Sequence, residues 1–102
     1  MNIPEQRIYY VVSVVTAYES FEDARARAAD LIAAHIARSK ELHAQGTLLM
    51  SGAFLNTPQE PLSTMGVCTT REAAEEYITG DPFVLNGMVR SWTIREWANM
   101  FA

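Results

Sequence analysis

The order of strand and helix signals along this sequence predicts an α+β fold. It is a ferredoxin-like βαββαβ sandwich, with a four-stranded antiparallel sheet carrying two helices on one face. Three observations predict it. The segment Arg7 to Thr16 (RIYYVVSVVT) is rich in β-branched and aromatic residues and free of Gly and Pro, the composition of a strand. A long run full of Ala, Leu, Arg and Lys follows, with apolar residues at helical spacing. The remainder reads strand, strand, short helix, strand, which completes the split βαβ order.

The first strand is apolar on both sides, with Ile8, Tyr10, Val12 and Val14 on one and Tyr9, Val11 and Val15 on the other. Such a strand needs cover on both faces. Helices cover one face of the sheet, so the other is expected to meet a second copy of the chain, a homodimer or higher homo-oligomer. Ser20 or Glu19 opens a helix that runs to about Gln45 and is closed by Gly46, the residue free to turn left-handed. At about 100° per residue, Ala24, Ala28, Leu31, His35 and Leu42 form one stripe, flanked by Ile32, Ile36 and Ser39. Asp30, Lys40 and Glu41 face away.

Thr47 to Phe54 reads as the second strand, and the polar and Pro-containing run from Asn56 to Pro61 as a loop. Leu62 to Thr69 is the third strand, paired with the second. Thr70 or Thr69 caps a short helix with an acidic first turn, ended by Gly80. Asp81-Pro82 has the form of a cap followed by Pro at the first position of a helical turn. Met88 to Trp97 is the last strand, with Trp92 and Ile94 on one face and Trp97 on the other.

The chain has 102 residues, which suits a single domain over residues 1–102. Eight Lys and Arg against twelve Asp and Glu give a net charge of −4. The charges are interspersed with no basic stripe, which argues against a nucleic-acid binder. The longest apolar stretch is far short of the roughly 20 residues that span a bilayer, so no membrane partner is expected. The N-terminal residues lack the layout of a signal peptide. Cys68 stands alone, which excludes an intrachain disulfide and a Cys-based zinc site and requires no oxidising compartment. A cytoplasmic location is the expectation.

Few residues carry candidate chemistry. His35 interrupts an apolar stripe with a group that titrates near neutrality; its ordinary alternative is a buried histidine bonded to a carbonyl. His43, in the last helical turn, reads as an edge residue. Asp81 reads as a helix cap, although a carboxylate has a second oxygen free for other work. Cys68 reads as an inert core residue, and Tyr9, Tyr10, Trp92 and Trp97 as core and interface. No phosphate loop, nucleophile elbow or metal-ligand cluster is present in the sequence, so neither metal nor cofactor is expected.

Several short motifs occur in a telling order. Ala34-His35-Ile36-Ala37 precedes Gln45-Gly46-Thr47-Leu48-Leu49-Met50-Ser51-Gly52-Ala53, and Glu72-Ala73-Ala74 precedes Asp81-Pro82-Phe83 and Gly87-Met88. Trp92-Thr93-Ile94 with Trp97 closes the series. In order and spacing the chain resembles the YCII-related (YciI-like) family, best from about Ala29 to Trp97. The resemblance implies a sheet-to-sheet dimer of the dimeric α/β-barrel superfamily. It further implies a pocket joining a helix histidine to the Asp of the Asp-Pro-Phe motif, here His35 and Asp81. The family includes a member resembling a dehydrochlorinase of aromatic breakdown. Two positions depart from the family pattern: Ile32 stands where many members carry Arg, and Ala53 where many carry Pro. Without that Arg, the substrate is expected to be less anionic.

On this resemblance, Asp81 fixes the tautomer of His35, whose other nitrogen moves a proton on or off a small cyclic or aromatic substrate. Ser51, the backbone around Gly52, and Phe83 are the expected pocket, with Ser51 and Gly52 bonding an oxygen that gains charge. The leading expectation is therefore a cofactor-independent lyase or isomerase. The alternatives are a non-catalytic ligand-binding or accessory domain, and a cofactor-free monooxygenase.

Overall fold

Strand β1 (Ile8–Thr16) lies inside the sheet, paired antiparallel with a strand on each side. In the computed structural model, which describes residues 4, 7–55 and 59–101, the sheet order is β2-β3-β1-β4. Its partners are β2 (Leu48–Ala53), β3 (Ser63–Cys68) and β4 (Val89–Ala98), all antiparallel. The predicted strands are thus present, with ends that differ by at most one residue. Residues 56–58 of the predicted loop and 1–3, 5 and 6 of the N-terminal segment lie outside the described residues.

The alternation in β1 divides as its sequence predicts. Val12, Val14 and Thr16 are buried beneath the helices, whereas Tyr9, Val11, Ser13 and Val15 on the opposite face are half-buried. Cross-strand register carries that division outward. Val12 stands opposite Gly66 and Ile94, and Val11 opposite Val67 and Arg95. The open face accordingly gathers Tyr9, Val11, Met65, Val67 and Trp97 around a shallow hollow. Trp97 packs against Tyr9 there, with ring centroids 6.4 Å apart.

One expectation needs correction. The single helix from about residue 20 to 45 is two helices, α1 (Phe21–Arg27) and α2 (Ala29–Ala44). The break falls at Ala28, whose φ of −143° and ψ of 39° leave the helical region. Ala has the highest helix propensity of any residue, so packing overrides propensity at this point. The bend lets α1 bury Ala24 and Ala28 with Tyr18, Leu62 and Phe83, a cluster separate from the main core of Val12, Val14, Leu42, Leu48 and Ile78. Ser20 caps α1 through a bond from the Asp23 amide, and Gly46 turns left-handed after α2 with φ 84°.

Helix α3 (Arg71–Thr79) is capped by the Thr70 side chain and buries Ala73, Ala74, Tyr77 and Ile78 against the sheet. It can approach closely because Gly66 in β3 has no side chain. A Cβ there would stand 2.8 Å from Cε2 of Tyr77, inside contact distance. The aromatic ring therefore lies directly over β3. A short helix, α4 (Pro82–Leu85), follows and leads into β4.

Candidate functional site

His35 and Asp81, 46 positions apart in the chain, are brought into contact: His35 Nδ1 meets Asp81 Oδ1. The two come from different elements, each placed for a local reason. His35 projects from α2 among half-buried residues, with its side chain 17% exposed. Asp81 is the N-cap of α4, and its other oxygen, Oδ2, accepts from the Phe83 amide at 3.0 Å. Pro82 at the first helical position lacks an N–H, so the carboxylate caps the next free amide. One carboxylate thus serves both as a cap and as the histidine's partner, and its side chain is 6% exposed.

The contact dictates a tautomer. An ionised carboxylate accepts only, so His35 Nδ1 carries the proton and donates it to Asp81. In the neutral ring, Nε2 is left with its lone pair. The ring packs against Phe83 and Tyr77, with centroids 5.3 and 6.3 Å away.

Arg38, one turn after His35, adds a brace that sequence reading did not single out. Its guanidinium donates to the carbonyls of Glu76 and Tyr77 at 2.6 and 2.8 Å, in the last turn of α3. That turn has no basic residue of its own, so Arg38 supplies the favourable charge from a neighbouring helix. The guanidinium fills the space beside Gly80, where a Cβ would meet Nη2 at 2.5 Å. Helix α2 is thereby tied to the residues just ahead of Asp81.

A cavity of about 550 Å³ opens between α2 and the edge strand β2, and His35 lines it. Ile32, Ile36, Ser39, Lys40 and His43 form the α2 wall; Leu48 to Ala53 form the β2 wall; Leu62, Thr64 and Phe83 close the base. Of the pocket residues expected from sequence, Ser51, Gly52 and Phe83 all lie on this lining. Ile32 makes that part of the wall apolar.

His43 is exposed, as expected of a surface or edge residue, and it also lines the cavity. Its Nδ1 donates to the Leu48 carbonyl at 2.8 Å, which leaves Nε2 as the free ring nitrogen. The signal for it was the eight-residue spacing from His35, slightly over two helical turns on one face. Cys68 is 1% exposed, and burial pushes its thiol up to about 11, which suits an inert core residue. Among the described residues no group of three His, Cys, Asp or Glu side chains is placed to hold a metal ion, and no helix is long and apolar enough to cross a membrane.

No curated protein matches the chain. Among solved structures it is similar to 5-chloro-2-hydroxyhydroquinone dehydrochlorinase of Burkholderia phenoliruptrix AC1100 in complex with 2,5-dihydroxybenzoquinone. The TM-score is 0.59 at 14% identity, covering 87% of this chain and 92% of that one. A proposed antibiotic biosynthesis monooxygenase of Nitrosomonas europaea gives a TM-score of 0.61 at 6% identity, covering 99% and 97%. A Mycobacterium tuberculosis protein gives 0.53 at 13%, covering 93% and 96%. At such identities the likeness is one of fold. The family model of the YCII-related domain, however, matches residues 10–98, so the chain belongs to the YCII-related family.

Proposed function

We propose that the protein is a cofactor-independent acid–base enzyme, a lyase or isomerase acting on a small ring substrate, with His35 as the proton-transferring group and Asp81 as its partner. The observation that carries this reading is the His35–Asp81 contact on the margin of a cavity large enough for a small molecule. With Nδ1 held, Nε2 is the nitrogen that takes a proton from a substrate carbon and can return it elsewhere. In an elimination the proton goes to Nε2 and the leaving group departs with its electron pair. Chloride is the leaving group that the dehydrochlorinase likeness suggests. Lys40 is the one permanently charged side chain on the described lining, and the apolar Ile32 supports a substrate of low negative charge.

The second element of the proposal is a homodimer formed through the open face of the sheet, where Tyr9, Val11, Met65 and Trp97 are gathered. The single cysteine and evenly mixed charge support a cytoplasmic setting.

The test is a panel of hydroxylated and chlorinated benzenes and quinones that includes 5-chloro-2-hydroxyhydroquinone. Chloride release and uptake of solvent deuterium are the two readouts. Turnover of at least one compound, lost in His35→Ala with the fold intact, is the expected result. Saturable binding across the panel with no turnover would overturn the proposal in favour of a binding domain. Oxygen consumption with a quinol would instead favour a monooxygenase.

A further inference from the structure

Tyr77 presents a group that the fold leaves unexplained. The residue is 2% exposed, and among the described residues its phenolic oxygen is buried without a hydrogen-bond partner of proper geometry. A buried hydroxyl left unpaired is costly, and its persistence in a well-packed site asks for a reason. Packing explains the ring, which covers Gly66, but not the hydroxyl.

The surroundings supply a reason. Ser51 stands directly opposite Gly66 in the β2–β3 pairing, so the ring over Gly66 brings the phenol toward Ser51. Ser39, one turn beyond His35 on α2, lines the same cavity as Ser51, and both serines lie close enough to hold the phenol's pKa down. The Tyr77 oxygen lies behind them, away from solvent. We propose that Ser39, Ser51 and Tyr77 form a hydroxyl cluster that receives an oxygen atom of an uncharged ring substrate, with Tyr77 as the positioning donor behind the two serines.

The chemistry follows from the inventory of donors. A phenol O–H donates to a serine oxygen by a small rotation of either hydroxyl, and the serine O–H is then free to donate into the cavity. Each bond in such a chain strengthens the next. Burial, reinforced by the Asp81 carboxylate and partly opposed by the serines, pushes the phenol up to about 12, so it stays protonated through the neutral range. The substrate class follows: an apolar ring with a phenol or carbonyl oxygen at one end. The apolar walls seat the ring, the hydroxyl cluster takes the oxygen, and His35 faces the reacting carbon. The inference takes its substrate from the acid–base reading, but the binding site it describes can be tested without turnover.

Phenol and toluene are probes of nearly equal shape that differ in the oxygen. Their dissociation constants are measured by NMR titration on wild type, Tyr77→Phe, Ser51→Ala and the double variant. Phenol binding is expected to weaken roughly five- to tenfold in Tyr77→Phe, the loss of about one hydrogen bond, while toluene binding stays unchanged. The melting temperature should change little in Tyr77→Phe, because the removed hydroxyl lacks a partner of proper geometry until a serine turns toward it. Ser51→Ala, at an exposed strand position, should give a similar loss for phenol, and the double variant little more, since the two act as one chain. Equal phenol affinity in wild type and both single variants would overturn the inference. Additive losses in the double variant would overturn the relay. Loss of turnover in His35→Ala with the phenol response to Tyr77→Phe intact would separate this site from the acid–base claim.

Discussion

Replacing Val11 by Lys is expected to abolish the proposed dimer and, with it, much of the folded state. Val11 lies on the face opposite the helices, half-buried even without a partner, and shares that face with Tyr9, Met65 and Trp97. Its neighbour Val12 is fully buried under the helices and would report on the core instead. The sign of the new charge matters. Arg95 stands directly opposite Val11 across the β1–β4 pairing, so Asp at position 11 would gain an ion partner, whereas Lys would face a like charge. A desolvated, unpaired ammonium in an interface costs several kcal/mol, enough to weaken association more than a thousandfold. Sedimentation of wild type at micromolar concentration should give a dimer, twice 11.4 kDa, and of Val11→Lys a monomer with a lowered, concentration-independent melting temperature. A stable 11.4 kDa wild-type monomer at that concentration would contradict the dimer.

The second large effect is expected at Asp81, where Ala and Asn should fail for different reasons. Asp81→Ala removes the cap on the Phe83 amide and strips His35 Nδ1 of its partner. The cap is worth about 1 kcal/mol and the stranded buried donor about 1–3 kcal/mol, so stability should fall by roughly 2–4 kcal/mol. Asp81→Asn keeps one acceptor oxygen but replaces the other with an amide NH₂. If the oxygen still caps Phe83, the NH₂ faces His35 Nδ1, which must then accept, and the ring proton moves to Nε2. The fold survives while the base is lost. Activity should fall by roughly 10²–10⁴-fold in Asp81→Asn, and His35→Ala, Asp81→Asn and the double variant should be similarly impaired. Full activity in a folded Asp81→Asn protein would reduce Asp81 to a cap.

Much of this arrangement was legible in the sequence, and the reasons are local. The alternation of Ile8 to Val15 depends on a two-residue period that any strand must obey, so it identified both faces of β1 without knowledge of the partners. Ser20, Thr70 and Asp81 announced their helix starts because capping needs only a side-chain oxygen two or three residues ahead of a free amide. What was not legible depends on distant packing. The break at Ala28 has no Gly or Pro to mark it; it arises because Tyr18, Leu62 and Phe83 offer Ala24 and Ala28 a separate place to bury. Arg38 gave no sign of its role, since its acceptors are backbone carbonyls 38 and 39 positions away, invisible in any side-chain pattern. Tyr77 carried no signal of its own, because Gly66, which its ring covers, lies on a different element. The His35–Asp81 pairing stands between these cases. Helical period placed His35 inward and capping logic placed Asp81 at a turn, but only family resemblance joined the two.

The central claim is that Asp81 holds His35 through Nδ1 and leaves Nε2 as the free base on the cavity side. Nitrogen-15 NMR of the His35 imidazole, recorded on the folded protein at a pH where the ring is neutral, tests it most directly. It reads which nitrogen carries the proton without any knowledge of the substrate. The predicted result is the Nδ1–H tautomer in wild type and a shift of the proton to Nε2 in Asp81→Asn. A neutral His35 protonated on Nε2 in wild type would contradict the account, because the nitrogen assigned to accept the substrate proton would already hold one.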